Sequence, residues 1–211
     1  NNSIKISYAI PVCNEHMELE RLLKLLVQYK NENDEIIIVQ DAFNTTQEVV
    51  DVITNEKYIG QNMFWFNHEL NDDFANHKNF LNKCCNGEWI FQLDADEYLS
   101  ETFLANIHDI LENNSDIEAI HVPRINTVDG LTQYDVDKWG WVMTPDGWIN
   151  FPDWQCRLHR NIPEIKWKNK VHEQLTGYKS VSNLPPIETF SIRHPKTIER
   201  QRKQNKFYET L

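Results

Sequence analysis

The chain has 211 residues, of which 40% are hydrophobic and 25% are charged, and its formal net charge is −11. This composition is typical of a globular domain that buries its own core, and the excess of negative charge argues against a general nucleic-acid binder, which needs clustered Lys and Arg. No apolar run approaches the roughly 20 residues of a membrane helix, and the N-terminus lacks the basic and apolar regions of a signal peptide.

Cysteine and glycine usage excludes several common sites. The four cysteines include no C-x-x-C pair, which argues against a disulfide framework and a zinc site. They are Cys13, Cys84, Cys85 and Cys156. We expect them to be reduced and buried in a cytoplasmic protein, or in one that lies at a membrane surface. With six Gly and no G-x-G-x-x-G or G-x-x-x-x-G-K-[ST] pattern, dinucleotide and P-loop phosphate sites are also disfavoured.

Hydrophobic patterning predicts that strands and helices alternate through the first part of the chain. Short runs rich in β-branched residues predict strands at 4–10, 34–41, 63–67, 88–94 and 117–125. Helical spacing of apolar residues predicts helices at 15–30, 45–53, 71–85 and 100–114. Pro11 is expected to end the first strand, Thr45 or Thr46 to cap the second helix, and Ser100 to cap the fourth. The alternation predicts an α/β fold with a mainly parallel central sheet and flanking helices.

The second part of the chain has a different pattern. Residues 125–190 contain five of the seven Trp and show no clean helical period. We therefore expect a region rich in strands and loops, built around Trp139, Trp141, Trp148, Trp154 and Trp167. The last segment, 197–211, is rich in Lys and Arg and predicts a basic C-terminal helix.

Polar residues follow several predicted strands, at the edge of the sheet where parallel α/β folds bind ligands. Asn14 and Glu15 follow the first strand, Asp41 ends the second, and Asp94 and Asp96 follow the fourth in the segment "LDADE". Two carboxylates so close repel each other unless a cation lies between them, and a divalent metal that also holds a diphosphate would be such a cation. For an isolated D-x-D, a solvated loop with an Asp cap would be the better interpretation.

Several segments together resemble one known family. The segments "ISYAIPVCNE", "DEIIIVQD" and "HKNFLNKCCNGEWIFQLDADEYLS" resemble the nucleotide-binding half of the family 2 glycosyltransferases, which have the GT-A fold. The segments at 78–81, 148–160 and 171–173 are similar to the members that act like lipopolysaccharide-core β-glucosyltransferases. The resemblance implies a single GT-A domain over 1–211, alone or within a longer protein. Its nucleotide-sugar half would be 1–123 and its acceptor and catalytic half 124–211.

The resemblance implies roles for individual residues. The nucleotide would be bound by Pro11, Val12, Asn14, Glu15, Asp41, Lys78, Asp94 and Ala95. A divalent metal, Mn²⁺ or Mg²⁺, would be bound by Asp96 and by Asp94 directly or through water, with His194 or alternatively His172 as a further ligand. The sugar or the acceptor would contact Glu97, Trp148, Trp154 and Glu173. Arg200 and Arg202 could reach the diphosphate, although a solvated helix face explains them equally well.

The general base implied by the resemblance is Asp153, in the segment "NFPDWQCRLHR". An acceptor hydroxyl loses its proton as it attacks the anomeric carbon, and a carboxylate within hydrogen-bond reach can take that proton. Glu173 and Glu97 are the next candidates. Without the resemblance, "FPDW" would be interpreted as a turn that the aspartate caps.

One segment departs from the family pattern. The acidic turn after the second strand is "QDAFN", in which Gln40 replaces one aspartate and Ala42 and Phe43 replace small turn residues. In the family, an aspartate of this turn accepts a hydrogen bond from the imide N–H of uracil or thymine. Asp41, the aspartate that this turn retains, therefore implies a UDP- or dTDP-linked donor.

The function predicted from the sequence is a metal-dependent inverting glycosyltransferase. It would move a sugar from a nucleoside diphosphate sugar to a hydroxyl of a glycan or of a lipid-linked or protein-linked sugar. A nucleotidyltransferase is an alternative, although it usually carries a Gly-rich, basic signature after the first strand. A non-catalytic carbohydrate-binding module that stacks sugars on Trp is another. Substitution of Asp96 would separate an enzyme from a binder.

Overall fold

The computed structural model describes residues 3–210, so that Asn1, Asn2 and Leu211, the last residue of the expected C-terminal helix, lie outside the described residues. The first half contains β1 (Ile6–Val12), α1 (His16–Tyr29), β2 (Glu35–Asp41), α2 (Gln47–Ile53), β3 (Met63–His68), α3 (Phe74–Cys84), β4 (Trp89–Gln92) and α4 (Glu101–Glu112). The second half contains β5 (Ala119–Asp129), α5 (Gln133–Trp139), β6 (Ile149–Arg160), β7 (Lys166–Lys168), β8 (Gln174–Thr176), β9 (Val181–Asn183), β10 (Ile192–Thr197) and α6 (Ile198–Glu209). Short 3₁₀ helices lie at Glu56–Tyr58 and Glu188–Phe190.

The central sheet has the strand order β10-β5-β6-β4-β1-β2-β3, and β9 pairs with β5 outside this path. The strands β4, β1, β2 and β3 run parallel, whereas β6 lies antiparallel between β4 and β5. The prediction of an α/β fold with a mainly parallel sheet is confirmed. Strands of the second half extend the sheet of the first half, and β7 and β8 form a separate two-stranded sheet.

The core follows from the alternation of side chains along the central strands. In β2, Ile36 and Ile38 pack with apolar residues of α1, α2 and α4, whereas Ile37 and Val39 pack with Leu81 of α3 on the opposite face. A strand covered on both faces is apolar at successive positions, as the segment "IIIV" is. Helix caps fix where α2, α3 and α4 begin, since Thr46, Asp73 and Ser100 each accept a hydrogen bond from a backbone N–H three residues later.

Two strand ends differ from the prediction. β1 continues through Pro11 to Val12, because Pro11 lies beyond the last residue pair of β1 with β4, Ala9 with Gln92. The missing N–H of proline therefore leaves no hydrogen bond of the ladder unmade. β4 ends at Gln92, so Asp94 lies in the loop that follows the strand rather than within the strand.

The region 125–190 is organised differently from the prediction. It contributes β6 to the central sheet, and it contains the unpredicted helix α5, which begins with a capping box between Thr132 and Asp135 and ends at Gly140 in the left-handed conformation. The Trp residues do not share one core. Trp139 lies against Trp141, Trp148 against Phe151, and Trp167 in a cluster with Ile165 and Leu175.

The four cysteines are free thiols, as predicted, but only Cys85 is buried, so the expectation that all four are buried is wrong. Among residues 3–210, the longest helices are too short and too polar to cross a bilayer.

Candidate active site

A buried cluster of ionised side chains lies directly behind Asp94 and Asp96. From β6, Arg157 donates to Glu97 Oε1 from Nη1 at 2.6 Å and to Oε2 from Nη2 at 3.2 Å. From β5, Arg124 donates to the same Oε2 from Nη1 at 3.0 Å, and the backbone N–H of Asp94 donates to Oε1 at 2.7 Å. The expectation that Glu97 contacts the acceptor or sugar is therefore corrected, because Glu97 is fully buried and both of its oxygens are occupied.

Asp94 is held by the same arginine. Arg157 Nη2 lies 3.3 Å from Asp94 Oδ2, and Gln92 Nε2 donates to Oδ1 at 3.0 Å. Burial acts to raise the pKa of Asp94, but the charges of Arg157 and Lys78 and the Gln92 hydrogen bond outweigh it, so the pKa lies well below its ordinary value. A guanidinium group from β6 thus supplies part of the positive charge that the sequence predicts for a metal.

Asp96 contacts a different set of basic side chains. Its Oδ2 lies 3.1 Å from His194 Nε2 and 3.0 Å from Arg200 Nη2, and Arg21 donates to its backbone oxygen at 3.2 Å. Of the two candidate metal-binding histidines, the structure brings His194 to Asp96. His172 instead stacks on Tyr208 of α6, with ring centroids 5.4 Å apart.

The pair formed by Asp96 and His194 fits a divalent metal that is shared with a substrate. A carboxylate oxygen and an imidazole nitrogen are both suitable ligands for Mn²⁺, and Mg²⁺ is usually bound by one or two carboxylates together with substrate phosphates. Within residues 3–210, no three His, Cys, Asp or Glu side chains converge on one point. The described side chains therefore provide two ligands, and a diphosphate and water would have to provide the others.

Asp153 lies on β6 and is held by three donors. Its Oδ2 accepts hydrogen bonds from Arg124 Nε and Asn126 Nδ2, both at 2.8 Å, and its Oδ1 accepts from Gln155 Nε2 at 2.9 Å. Burial acts to raise the pKa of Asp153, but the Arg124 charge and the three hydrogen bonds together lower it. The carboxylate is thus ionised at neutral pH, and Oδ1, with one donor, keeps a lone pair for a substrate hydroxyl.

Asp41, which is expected to bind the uracil or thymine ring of the donor, is buried at the end of β2. Its Oδ1 accepts from the backbone N–H groups of Phe43 and Leu70, both at 3.3 Å, and its Oδ2 accepts from Asn44 Nδ2 at 2.7 Å. Its pKa is lowered because these hydrogen bonds outweigh the effect of burial. The side chain of Gln40, which replaces the second acid of the turn, accepts from Thr45 Oγ1 at 2.8 Å.

The other expected nucleotide-binding residues lie along the neighbouring strand ends. Pro11 and Val12 end β1, and Glu15 closes the following turn by accepting from the backbone N–H of Cys13 at 2.9 Å. Asn14 is exposed in that turn. Ala95 is buried, so that only its backbone could contact a nucleotide.

Lys78 of α3 and Glu173 form an ion pair. Lys78 Nζ lies 2.7 Å from Glu173 Oε1 and 4.3 Å from the ring centroid of Trp167. A diphosphate would compete with Glu173 for Lys78. In α6, Arg200 contacts Asp96, whereas Arg202 pairs with Asp135 at 3.3 Å.

The expected acceptor aromatics lie on or next to β6. Trp148 packs edge-on against Phe151 with ring centroids 4.9 Å apart. Trp154 is 37% exposed, and as the neighbour of Asp153 along the strand it points to the opposite face of the sheet.

Sequence reasoning missed five polar residues that hold the carboxylates: Gln92, Arg124, Asn126, Gln155 and Arg157. The sequence does contain a signal for these residues. Every second residue of a strand lies on the same face, and polar residues occupy such positions in two strands. Asp153, Gln155 and Arg157 alternate along β6, and Arg124 and Asn126 alternate along β5. Such polar alternation on an interior strand indicates a face that lines a site.

Comparisons with known proteins identify the family of the chain. The family model described as Glycosyl transferase family 2 matches residues 7–174. Among curated proteins, no sequence matches this chain.

Three solved structures are similar in fold. The crystal structure of S. aureus TarS 1-349 in complex with UDP-GlcNAc superposes with a TM-score of 0.65 at 16% identity, covering 92% of this chain and 59% of that chain. The same protein in complex with UDP gives 0.64 at 14%, covering 91% and 60%. The mannosyltransferase PcManGT from Pyrobaculum calidifontis, in complex with GDP-Man and Mn²⁺, gives 0.51 at 18%, covering 59% and 36%. The chain thus spans about 60% of the length of TarS 1-349.

Proposed function

Because the chain belongs to glycosyl transferase family 2, we propose that it transfers a sugar from a nucleoside diphosphate sugar to a hydroxyl of a glycan or glycoconjugate. One observation carries the proposal. The ionised carboxylate of Asp153 and the pair of Asp96 and His194 both contact a single residue, Asn126. A group that can take a proton from an acceptor thus lies one residue away from a group that can hold the diphosphate of a donor.

We assign the donor to a UDP- or dTDP-linked sugar. Asp41 is an acceptor-only group at the end of β2, and an imide N–H of uracil or thymine is a donor that fits it. One of its oxygens is bonded to Asn44, an exposed side chain that can move when a base binds. The UDP and UDP-GlcNAc complexes of TarS support this assignment, whereas the GDP-Man complex of PcManGT is the alternative that has to be excluded.

We assign a divalent metal, Mn²⁺ or Mg²⁺, to Asp96 and His194. When bound there, the metal would neutralise charge on the departing nucleoside diphosphate. Lys78 and Arg200 are near the expected diphosphate and already contact carboxylates, so they can exchange those partners for phosphate oxygens.

Asp153 acts in this proposal as the general base. Its Oδ1 accepts the proton of the acceptor hydroxyl while the hydroxyl oxygen bonds to the anomeric carbon and the bond to the diphosphate breaks. A single displacement of this kind inverts the anomeric configuration. We group the acceptor with those of lipopolysaccharide-core β-glucosyltransferase-like members, on the motifs at 78–81, 148–160 and 171–173.

The test combines a base variant with a donor screen. Asp153→Asn should lower the rate of sugar transfer by about 10²–10⁴-fold, while Asp146→Asn, the same change at an exposed position, should leave it unchanged. Thermal unfolding with UDP, dTDP and GDP, with and without Mn²⁺, should show the largest rise in melting temperature with a pyrimidine nucleotide and Mn²⁺. Absence of stabilisation by every nucleotide, or a product with retained configuration, would overturn the proposal.

A further inference from the structure

Asn126 links three neighbouring strands at the centre of the site. It lies on β5, between β10 and β6, and its Cα is the register partner of His194 on β10. Its Oδ1 lies 2.8 Å from His194 Nδ1, and its Nδ2 donates to Asp153 Oδ2 at 2.8 Å. The two contacts use the two ends of a single amide group.

The chemistry of Asp153 determines which way this amide points. An ionised carboxylate only accepts hydrogen bonds, so the NH₂ end of Asn126 must face Asp153 and the carbonyl end must face His194. The opposite orientation would place two oxygens 2.8 Å apart. Since the carbonyl of Asn126 also only accepts, Nδ1 of His194 must be the donor in that contact. Nε2 of the same ring faces Asp96 Oδ2, which likewise only accepts, so Nε2 donates to Asp96 as long as no metal lies between them.

From this arrangement we propose that Asn126 is a positioning residue that orients both Asp153 and His194. The amide holds the imidazole with Nε2 on the side of Asp96, and the same amide holds Oδ2 of Asp153 so that Oδ1 faces the acceptor. The catalytic assignments rest on the proposed function, but the hydrogen-bond arrangement does not. A ligand histidine whose second nitrogen is fixed by a carbonyl is a common way to set ring direction, and its loss typically costs about 10–100-fold in affinity or activity.

Two substitutions separate the two ends of the amide. Asn126→Asp keeps an oxygen for His194 Nδ1 but replaces the donor to Asp153 by a second carboxylate, which repels Asp153. Asn126→Leu has a similar shape and removes both contacts. Thr127→Val is the matched control, because the next residue of β5 points to the opposite face of the sheet. Thermal unfolding of all three variants shows whether each is folded.

The first measurement is the ¹⁵N spectrum of the His194 ring in the free protein, without nucleotide or metal. We expect a proton on Nδ1 in the wild type, in Asn126→Asp and in Thr127→Val, and its loss in folded Asn126→Leu. Because this readout does not involve sugar transfer, it remains informative if the proposed function fails. An unchanged Nδ1 signal in folded Asn126→Leu would overturn the inference.

The second measurement is sugar transfer together with the Mn²⁺ concentration that gives half of the stabilisation by UDP. Both Asn126 variants should transfer sugar about 10–100-fold more slowly than wild type, and only Asn126→Leu should need about 10–100-fold more Mn²⁺. Equal Mn²⁺ requirements in the two variants, or a transfer rate equal to that of Thr127→Val, would contradict the inference. A wild type that transfers no sugar would instead count against the proposed function.

Discussion

Replacement of Arg157 by Met tests whether the buried charge cluster stabilises the site. Arg157 is 4% exposed and makes two hydrogen bonds to Glu97, which has no exposed surface. Removing one partner of a buried ion pair costs about 3–5 kcal/mol, because the remaining charge is left in a poorly solvated place. Arg124 and the backbone N–H of Asp94 still contact Glu97, so we expect the lower end of this range, about 3 kcal/mol.

Chemical unfolding of Arg157→Met measures this loss directly, and for a chain of this size about 3 kcal/mol corresponds to a fall in melting temperature of roughly 6–12 °C. The double variant Arg157→Met with Glu97→Gln provides the control. Neutralising Glu97 removes the buried unpaired charge, so the double variant should recover part of the stability lost by the single variant. A single variant that loses less than about 1 kcal/mol, or a double variant in which the two losses add, would refute the assignment of Glu97 as a buried, ionised partner of Arg157.

Three further predictions follow from particular contacts. Burial lowers the pKa of His159 to about 4, so the folded state binds fewer protons at this residue than the unfolded state below pH 6.5. The contribution of His159 to stability should therefore fall by about 2 kcal/mol between pH 8 and pH 5, and His159→Gln should remove that part of the slope in pH-dependent unfolding. Gly177→Ala should lower the melting temperature far more than Gly60→Ala, because both have positive φ but only at Gly177 would the new Cβ lie 1.8 Å from a backbone oxygen, that of Glu164. Arg124→Gln should move the acidic limb of the pH–rate profile to higher pH, because the Arg124 charge lowers the pKa of Asp153.

The first half of the fold could be predicted because its signals are local. Continuous apolar strands, helical spacing and the caps Thr46 and Ser100 each act within a few residues, and the corresponding elements form nearly as predicted. The second half could not be predicted equally well. The position of β6, antiparallel between β4 and β5, depends on contacts between residues far apart in the chain, such as Phe91 with Leu158. Helix α5 buries only Asp135 and Val136, which are adjacent, so it has no pair of buried apolar residues at helical spacing. Helix α2 is equally short but buries Val49 and Ile53, four residues apart.

The candidate site divides in the same way. The acidic residues of "LDADE" could be predicted as site residues because they directly follow the strand β4 in the sequence. The residues that hold them come from β5 and β6, and no local pattern states that Arg157 reaches Asp94, 63 positions away. The sequence alone therefore predicts that a metal balances the charge of Asp94 and Asp96. In the fold, Arg157 provides part of that positive charge.

The origin of that positive charge also bears on how Asp153 can act as a base. Arg124 contacts both Glu97 and Asp153, so the cluster that stabilises the acidic strand end also lowers the pKa of the proposed base. A carboxylate with a lowered pKa is a weak base, but it is fully ionised at neutral pH and is held in one direction by three donors. Its contribution must then come from position more than from basicity, since a correctly placed acceptor replaces a water that would otherwise have to be ordered. In the proposed mechanism the proton would move as the bond to the diphosphate breaks, when the attacking hydroxyl becomes far more acidic, and a weak base in the right place would be sufficient for that step.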